Sequence, residues 1–153
     1  GHFDHVMAVD SVRTAYHIPV YAAEAEKETM LDASINLSIN MGGAMLSVEA
    51  DHWLKDGETI TLLDQEVRCI LTPGHTVGGM CFYFPKAGML FSGDTLFQES
   101  VGRTDFPGGS MSEIVRSIRE KLFVLPDAVQ VYPGHGLMTS IKNEQMFNPF
   151  AVE

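Results

Sequence analysis

Four β-rich runs that follow one another between residues 54 and 92 limit the folds open to this chain. The runs read TITLL, EVRCILT, MCFYF and MLFS, and turn-forming Gly, Pro and Asp residues separate them. Short runs that are rich in β-branched and aromatic residues and bounded by turns are typical of strands joined by tight connections. The pattern therefore predicts an antiparallel meander in the middle of the chain.

Apolar residues at helical spacing flank this block on both sides, together with two more strand-like runs. The spacing predicts helices at 6–17, 23–31, 110–125 and 140–147, and strands at 18–22 (IPVYA) and 128–133 (AVQVYP). Either Ser110 or Ser112 is expected to cap the third helix, since a serine hydroxyl accepts a hydrogen bond from a first-turn amide. We therefore expect an α/β fold of one domain spanning 1–153, with helices that cover a sheet.

The charge balance narrows the range of partners. The chain has 10 Lys and Arg against 20 Asp and Glu, whereas nucleic acids and anionic membranes both require clustered positive charge. We therefore expect a small-molecule substrate, with neither nucleic acid nor membrane as a partner. No apolar run is long enough to span a bilayer, which favours the cytoplasm. Cys69 and Cys81 fit no metal-binding or redox spacing and are predicted to be buried, reduced thiols.

Four of the six histidines stand in turn-like contexts that contain glycine. Glycine lets the backbone turn tightly, so imidazoles at such positions can point several nitrogens into one cavity. Aspartates occur in the same contexts, and neutral imidazole and carboxylate suit zinc, iron or manganese. The candidate metal ligands are His2, Asp4 and His5 in GHFDH, His75 in TPGHTVGG, Asp94 in FSGDT and His135 in VYPGHG.

The spacing of GHFDH lets its three polar residues emerge from one loop, and a carboxylate such as Asp94 can bridge two cations. The sequence therefore predicts a binuclear site. His17 and His52 lie at a helix end and in a loop, and no functional role is assigned to them.

Taken in order, these motifs resemble those of the metallo-β-lactamase-fold hydrolases, whose signature is HxHxDH followed by a single histidine, a bridging aspartate and a final histidine. The resemblance extends over nearly the whole chain and implies an αββα sandwich. It also implies two metal-ligand sets that share one carboxylate. These sets are His2, His75 and Asp94 for one metal, and Asp4, His5, Asp94 and His135 for the other.

One element of that signature is missing. GHFDH matches the last five positions of HxHxDH, and the first histidine would stand one position before Gly1. The resemblance therefore predicts that the chain lacks one histidine ligand and the first strands of the fold, roughly 50 residues on typical strand and turn lengths. The expectation is a fragment of a longer protein with an exposed sheet edge.

Two further motifs resemble particular branches of the family. GRTDFPGGS (102–110) and PGHGLMTSIKNEQMFNPF (133–150) are similar to short glyoxalase II-like proteins, hydroxyacylglutathione hydrolases without the helical glutathione-binding domain. That resemblance implies a thioester or ester hydrolase with two divalent ions, foremost zinc, and a glutathione thioester as a candidate substrate. The first motif also resembles the mononuclear iron persulfide dioxygenases, whereas PGHG favours the hydrolases. A non-catalytic metal-binding fragment is the third alternative.

The resemblance assigns a catalytic role to Asp4, which would ligate one metal and help to orient the attacking water. Arg103 and Asp105 are expected to form an ion pair that holds a loop, with a contact to substrate as the alternative. Phe106 is expected to form a wall of the cavity. The sequence leaves the oligomeric state open.

Overall fold

A computed structural model describes the backbone of residues 1–151 and the side chains of residues 1–40 and 43–151. The chain divides into two compact units, unit 1 from Gly1 to Lys55 and unit 2 from Asp56 onward. Each unit has its own cluster of buried apolar residues. The single domain expected from the sequence stays a prediction. None of the helices within residues 1–151 has the length and hydropathy needed to cross a membrane.

Unit 1 is built mainly from short helices. Its elements are α1 (Phe3–Val6), α2 (Val9–Tyr16), β1 (Tyr21–Ala23), a 3₁₀ turn (Glu24–Glu26), α3 (Lys27–Leu31), a π-helical turn (Ser38–Gly42) and β2 (His52–Leu54). β1 and β2 pair in parallel with Tyr21 opposite His52, and these two rings stack with their centroids 4.5 Å apart. The core of this unit is formed by Val6, Met30, Val48 and Ala50.

The strands of unit 2 are β3 (Thr59–Leu62), β4 (Gln65–Leu71), β5 (Met80–Phe84), β6 (Met89–Gly93), β7 (Leu96–Phe97), β8 (Ser100–Val101), β9 (Gln130–Pro133) and β10 (Thr139–Ser140). Six of them form a sheet of order β10-β9-β6-β5-β4-β3, which contains the meander. The helices of unit 2 are α4 (Met111–Ser117), which continues as a π-helical turn (Ile118–Leu122), and α5 (Ile141–Phe147). Strands β3 to β6 pair antiparallel in sequence order, so the predicted meander is confirmed. β7 and β8 form a separate hairpin.

Both faces of the unit 2 sheet have buried residues on its central strands. Val67 and Cys69 in β4, and Cys81 and Tyr83 in β5, are buried at every second position, as expected when one face of a strand points into a core. Ile70, which packs against the core cluster of unit 2, stands opposite Cys81 in the antiparallel pair, so Cys81 and Tyr83 lie on the sheet face that carries this cluster. Cys69 stands opposite Phe82 instead, so Val67 and Cys69 lie on the other face. The cluster also contains residues of α4, the π-helical turn and α5, namely Ile114, Ile118, Leu122 and Ile141.

Serines begin both long helices of unit 2. The Ser110 hydroxyl accepts a hydrogen bond from the Glu113 amide, which identifies Ser110 rather than Ser112 as the cap of α4. Ser140 caps α5 in the same way by accepting from the amide of Asn143. Each cap supplies an acceptor to an amide that has no partner within its own helix.

The prediction that GHFDH forms a loop is wrong. Residues 3–6 form α1, and the carbonyl of His2 accepts from the amides of His5 at 3.0 Å and Val6 at 3.2 Å. A helix is favoured here because Asp4 stands in the first turn, where a negative charge interacts well with the exposed amides. The predicted helix at 6–17 is accordingly split into α1 and α2, and β1 begins later than the predicted strand at 18–22.

The thiols are as predicted. Cys69 and Cys81 are both free and buried, and they lie on adjacent strands opposite Phe82 and Ile70 respectively, not opposite each other. Burial raises the pKa of the Cys81 thiol to about 11. The two thiols are therefore packing residues of the sheet.

Candidate metal centre

Two of the candidate ligands in unit 2 follow neighbouring parallel strands. β6 and β9 run in parallel with Gly93 paired to Pro133 at their ends, and the amide of Gly134 donates to the carbonyl of Gly93 at 2.8 Å. The carboxyl ends of parallel strands meet at the same sheet edge, so Asp94 and His135 are brought together there. The distance between Nε2 of His135 and Oδ2 of Asp94 is 3.6 Å.

His75 reaches the same carboxylate from the connection between β4 and β5. Its Nε2 lies 3.4 Å from Oδ2 of Asp94. The connection is held on the start of α4, where the amide of Ser110 donates to the carbonyl of Gly74 at 2.7 Å. Gly74 has a φ of +136°, and a Cβ at this position would overlap the backbone of Ile114. Glycine therefore lets the histidine loop lie directly on the helix.

The tautomer of His75 follows from its second hydrogen bond. Nδ1 lies 2.7 Å from the carbonyl oxygen of Arg103. A carbonyl oxygen can only accept, so Nδ1 carries the proton and, in the neutral ring, Nε2 carries the lone pair. The side chain of His75 is only 9% exposed, so packing and this hydrogen bond together fix the ring. Nε2 is thus presented to Asp94 as a ligand atom.

The spacing of each histidine from Asp94 fits a pair of ligands of one divalent cation. Two atoms that bind one zinc at about 2.0–2.1 Å with a tetrahedral angle lie about 3.3–3.4 Å apart. The distances from Asp94 Oδ2 to the two imidazole nitrogens, 3.4 and 3.6 Å, are close to this separation. Imidazole and carboxylate also suit zinc, iron and manganese. Each pair, His75 with Asp94 and His135 with Asp94, can therefore supply two ligands to a divalent metal, with the carboxylate shared between the pairs.

Gly102 allows the two sides of this site to approach each other. Its amide donates to the carbonyl of Thr95 at 3.2 Å. A Cβ on Gly102 would lie 3.3 Å from Cβ of His75 and 2.9 Å from the carbonyl carbon of Asp94, and it would overlap the carbonyl oxygen of Asp94. Gly102 was not among the candidate site residues predicted from the sequence, although it is the first residue of GRTDFPGGS.

The loop after Gly102 supports His75. Arg103 forms the ion pair expected from the sequence, with Nε to Oδ1 of Asp105 at 2.7 Å and Nη2 to Oδ2 at 2.6 Å. The hydrogen bonds from Arg103 lower the pKa of Asp105 to about 2. The guanidinium lies 4.0 Å above the ring of Phe106, which meets the His75 ring edge-on at 6.4 Å. A contact of these three residues with substrate stays a prediction.

The other three candidate ligands lie around α1 in unit 1. His2 precedes the helix in an extended conformation and is 5% exposed. Asp4 and His5 are in the helix, with Nε2 of His5 at 3.8 Å from Oδ2 of Asp4. The start of α1 is fixed by the amide of Phe3, which donates to the carbonyl of Asn36 at 2.9 Å. These contacts hold the GHFDH residues in one short turn.

Two buried polar residues were missed in the sequence. Asn36 is fully buried and donates from Nδ2 to the carbonyl of Leu46 at 2.9 Å. Glu144 in α5 is also fully buried and accepts several hydrogen bonds. Both resemble ordinary surface residues in sequence, because loop asparagines and helical glutamates are usually exposed. The one sequence feature that could have pointed to Glu144 is its position within residues 133–150, the segment that resembles the hydrolases.

Comparison with known proteins identifies the family. The model of the metallo-beta-lactamase superfamily matches residues 1–135, which include all six candidate ligands. The chain belongs to this superfamily. The family predicted from the motifs and the predicted fold class are therefore confirmed. Members of this superfamily bind divalent metals, in agreement with the donor set at the sheet edge of unit 2.

Curated relatives of this chain include a probable metallo-hydrolase and a hydroxyacylglutathione hydrolase. The chain is 39% identical over 151 residues to the probable metallo-hydrolase YqgX of Bacillus subtilis, a match that covers 98% of this chain and 72% of that protein. It is 34% identical over 154 residues to the hydroxyacylglutathione hydrolase GloC of Haemophilus influenzae, with the same two coverages of 98% and 72%.

Two solved structures share the fold at appreciable sequence identity. The B3 metallo-beta-lactamase BLEG-1 superposes with a TM-score of 0.93 and 39% identity, covering 99% of this chain and 74% of that one. The di-iron-bound form of TTHA1623 superposes with a TM-score of 0.83 and 33% identity, covering 97% and 73%. The superfamily fold is therefore seen with iron bound in a relative.

Proposed function

We propose that this protein is a metal-dependent hydrolase of thioesters or related esters. The proposed site holds two divalent metals, foremost zinc, on His2, Asp4, His5, His75, Asp94 and His135. The observation that carries the proposal is the convergence of His75 and His135 on one carboxylate oxygen of Asp94, at 3.4 and 3.6 Å. The di-iron form of TTHA1623 supports iron as the alternative metal.

Divalent metals bound by these residues would supply a hydroxide nucleophile at neutral pH and would stabilise the negative charge that develops on the acyl oxygen. The residues of the chain supply the rest. The Asp94 carboxylate carries the negative charge that attracts cations to the sheet edge. The Arg103 carbonyl keeps His75 in the tautomer with Nε2 towards Asp94, so the ring need not reorganise during the reaction. Asp4 is proposed to orient the attacking water.

The substrate class follows from the leaving group. A thiol has a pKa of about 8.5, so a thiolate can leave without a proton donor. An amine must be protonated as it leaves, which requires a general acid. The proposed site commits its imidazoles and carboxylates to metal binding, and a thioester is therefore the best match. The similarity to GloC supports a hydroxyacylglutathione thioester, while a β-lactam is the competing substrate suggested by BLEG-1. A cytoplasmic location is part of the same proposal.

The proposal is tested with a hydroxyacylglutathione thioester and a β-lactam on the zinc-loaded protein, and with glutathione persulfide on the iron-loaded protein, where oxygen uptake is recorded. Thioester cleavage is expected, and His75→Ala and Asp94→Ala are expected to reduce it by more than about 100-fold, because even changes behind a metal ligand cost about 10–100-fold. His17→Asn is the matched control, since asparagine tolerates the left-handed backbone of residue 17 (φ +53°).

Each other outcome contradicts the proposal in its own way. Full activity in His75→Ala or Asp94→Ala would show that the replaced residue is not a metal ligand that the reaction requires. Cleavage of the β-lactam alone would change the substrate class. Oxygen uptake by a protein with one iron would favour the persulfide dioxygenase, and metal binding without any turnover would favour a non-catalytic metal-binding chain.

A further inference from the structure

Glu144 is a buried carboxylate that the proposed mechanism does not use. It has no exposed surface. Its Oε1 accepts from the Thr139 hydroxyl at 2.6 Å and from Nδ2 of Asn143 at 2.9 Å. Its Oε2 accepts from the amide of Glu99 at 2.8 Å and from Nδ2 of Asn148 at 2.9 Å. All four donors are neutral, so these bonds compensate the desolvation of the charge without an ion pair.

The Oε2 side of this carboxylate holds the β7–β8 hairpin at two points. Glu99 lies in the hairpin turn with a φ of +51°, a left-handed conformation that a non-glycine residue keeps only when its surroundings hold it. Asn148 bonds the carboxylate and also donates to the carbonyl of Ser100 at 2.9 Å. Glu144 therefore fixes the turn residue directly and the following residue through Asn148.

The same hairpin places an aromatic ring beside one of the proposed metal ligands. Phe97 pairs with Ser100 across the hairpin, and its ring meets that of His135 edge-on, with the centroids 6.4 Å apart. The side chain of His135 is 55% exposed, so solvent leaves room for it to change rotamer. A ring held against one side of the imidazole limits that freedom.

We propose that Glu144 is a positioning residue. By holding the β7–β8 hairpin, it keeps Phe97 against His135 and so keeps Nε2 of that histidine directed at Asp94. The role of this contact in metal binding rests on the proposed function, whereas the positioning itself does not.

The test uses NMR on the full chain with Glu144→Gln, Glu144→Asp and, as control, Asn143→Ala. In the wild type, the Glu99 amide is expected to be protected from hydrogen exchange, and Phe97 and His135 ring protons to show a nuclear Overhauser effect. Glutamine keeps an acceptor oxygen for Glu99 and should retain both signals. Aspartate is one methylene shorter, so exchange at Glu99 should accelerate about tenfold or more and the ring contact should be lost. Asn143→Ala touches only the Oε1 side and should retain both.

Zinc titration extends the test to the site. Glu144→Asp is expected to bind zinc about tenfold more weakly, whereas Glu144→Gln and Asn143→Ala keep wild-type affinity. An unprotected Glu99 amide in the wild type, or equal signal losses in Glu144→Asp and Asn143→Ala, would overturn the positioning role. Unchanged zinc affinity despite a lost ring contact would overturn its link to metal binding.

The positioning role can be tested even if one variant does not fold or if the proposed function fails. If Glu144→Asp does not fold, the wild-type and Glu144→Gln spectra still decide whether the bond and the ring contact exist. If the wild type binds zinc but cleaves no thioester, the proposed function fails, while the NMR and zinc measurements still test the positioning.

Discussion

Replacement of Gly102 by alanine tests whether the two sides of the metal centre must approach as closely as the structure shows. A Cβ at this position lies 2.9 Å from the carbonyl carbon of Asp94. Non-bonded carbons pack about 3.5–4.0 Å apart, so the backbone beside Asp94 must retreat by at least about 0.6–1.1 Å from that 2.9 Å contact, and further to clear the carbonyl oxygen that the Cβ would overlap. Overpacking of this kind costs about 1–3 kcal/mol of folding free energy. A displacement near 1 Å at a reacting site costs about 100-fold in activity.

The assay combines thermal unfolding with zinc affinity and thioester turnover. Gly88→Ala is the matched control, because a Cβ there meets nothing within 4 Å and only the positive φ of +64° is penalised. Both variants are expected to lose stability, by about 1–2 kcal/mol in the control, but only Gly102→Ala should also lose zinc affinity and turnover. Gly102→Ala with wild-type zinc affinity and turnover would refute the reasoning.

Three other predictions concern residues around the sheet of unit 2. Asp105→Asn should weaken metal binding about tenfold, because the loop that contains Asp105 supports His75. The melting temperature should change little, since the ion pair is exposed. Equal metal affinities of the variant and the wild type in a competition titration would refute this prediction. Burial acts to raise the pKa of Asp56, but hydrogen bonds from Lys121 and from backbone amides outweigh burial and lower the pKa. The stability that this carboxylate contributes is therefore present above about pH 4 and is lost as the pH falls further. Asp56→Asn should flatten that decline in urea unfolding, and an unchanged slope would contradict it. Cys69 and Cys81 should resist thiol labelling at pH 8 until the protein unfolds, because burial raises the pKa of both thiols; rapid labelling of the native protein would show that one is accessible.

The sheet of unit 2 was predictable because its signals are local. Alternation of buried and exposed residues along β4 and β5, with turn residues between them, is set by the period of a strand. The serine before α4 likewise bonds an amide only three residues away. The missed strand β2 is different, since it has three residues and pairs with β1 from a distant part of the sequence. The three residues of β2 do not by themselves specify this pairing.

The candidate ligands of the site could be predicted from residue types, but the residues that hold these ligands in place could not. Histidine and aspartate after glycines identified His75, Asp94 and His135, and parallel pairing of β6 with β9 explains how two of them meet. The close approach at Gly102 and the burial of Glu144 depend on tertiary packing, which leaves no periodic trace in the sequence. The GHFDH turn is helical because the His2 carbonyl accepts from two amides and Asp4 stands in the first turn. Neither feature is visible in the spacing of the histidines that predicted a loop.

The number of metal ions per chain tests the central claim most directly. Elemental analysis of the purified wild type, after removal of loosely bound metal, is predicted to give about two zinc, iron or manganese ions per chain. His75→Ala and Asp94→Ala are predicted to bind fewer, and His17→Asn the same number as the wild type. A wild type without bound metal, or ligand variants that retain the full content, would contradict the metal centre described here.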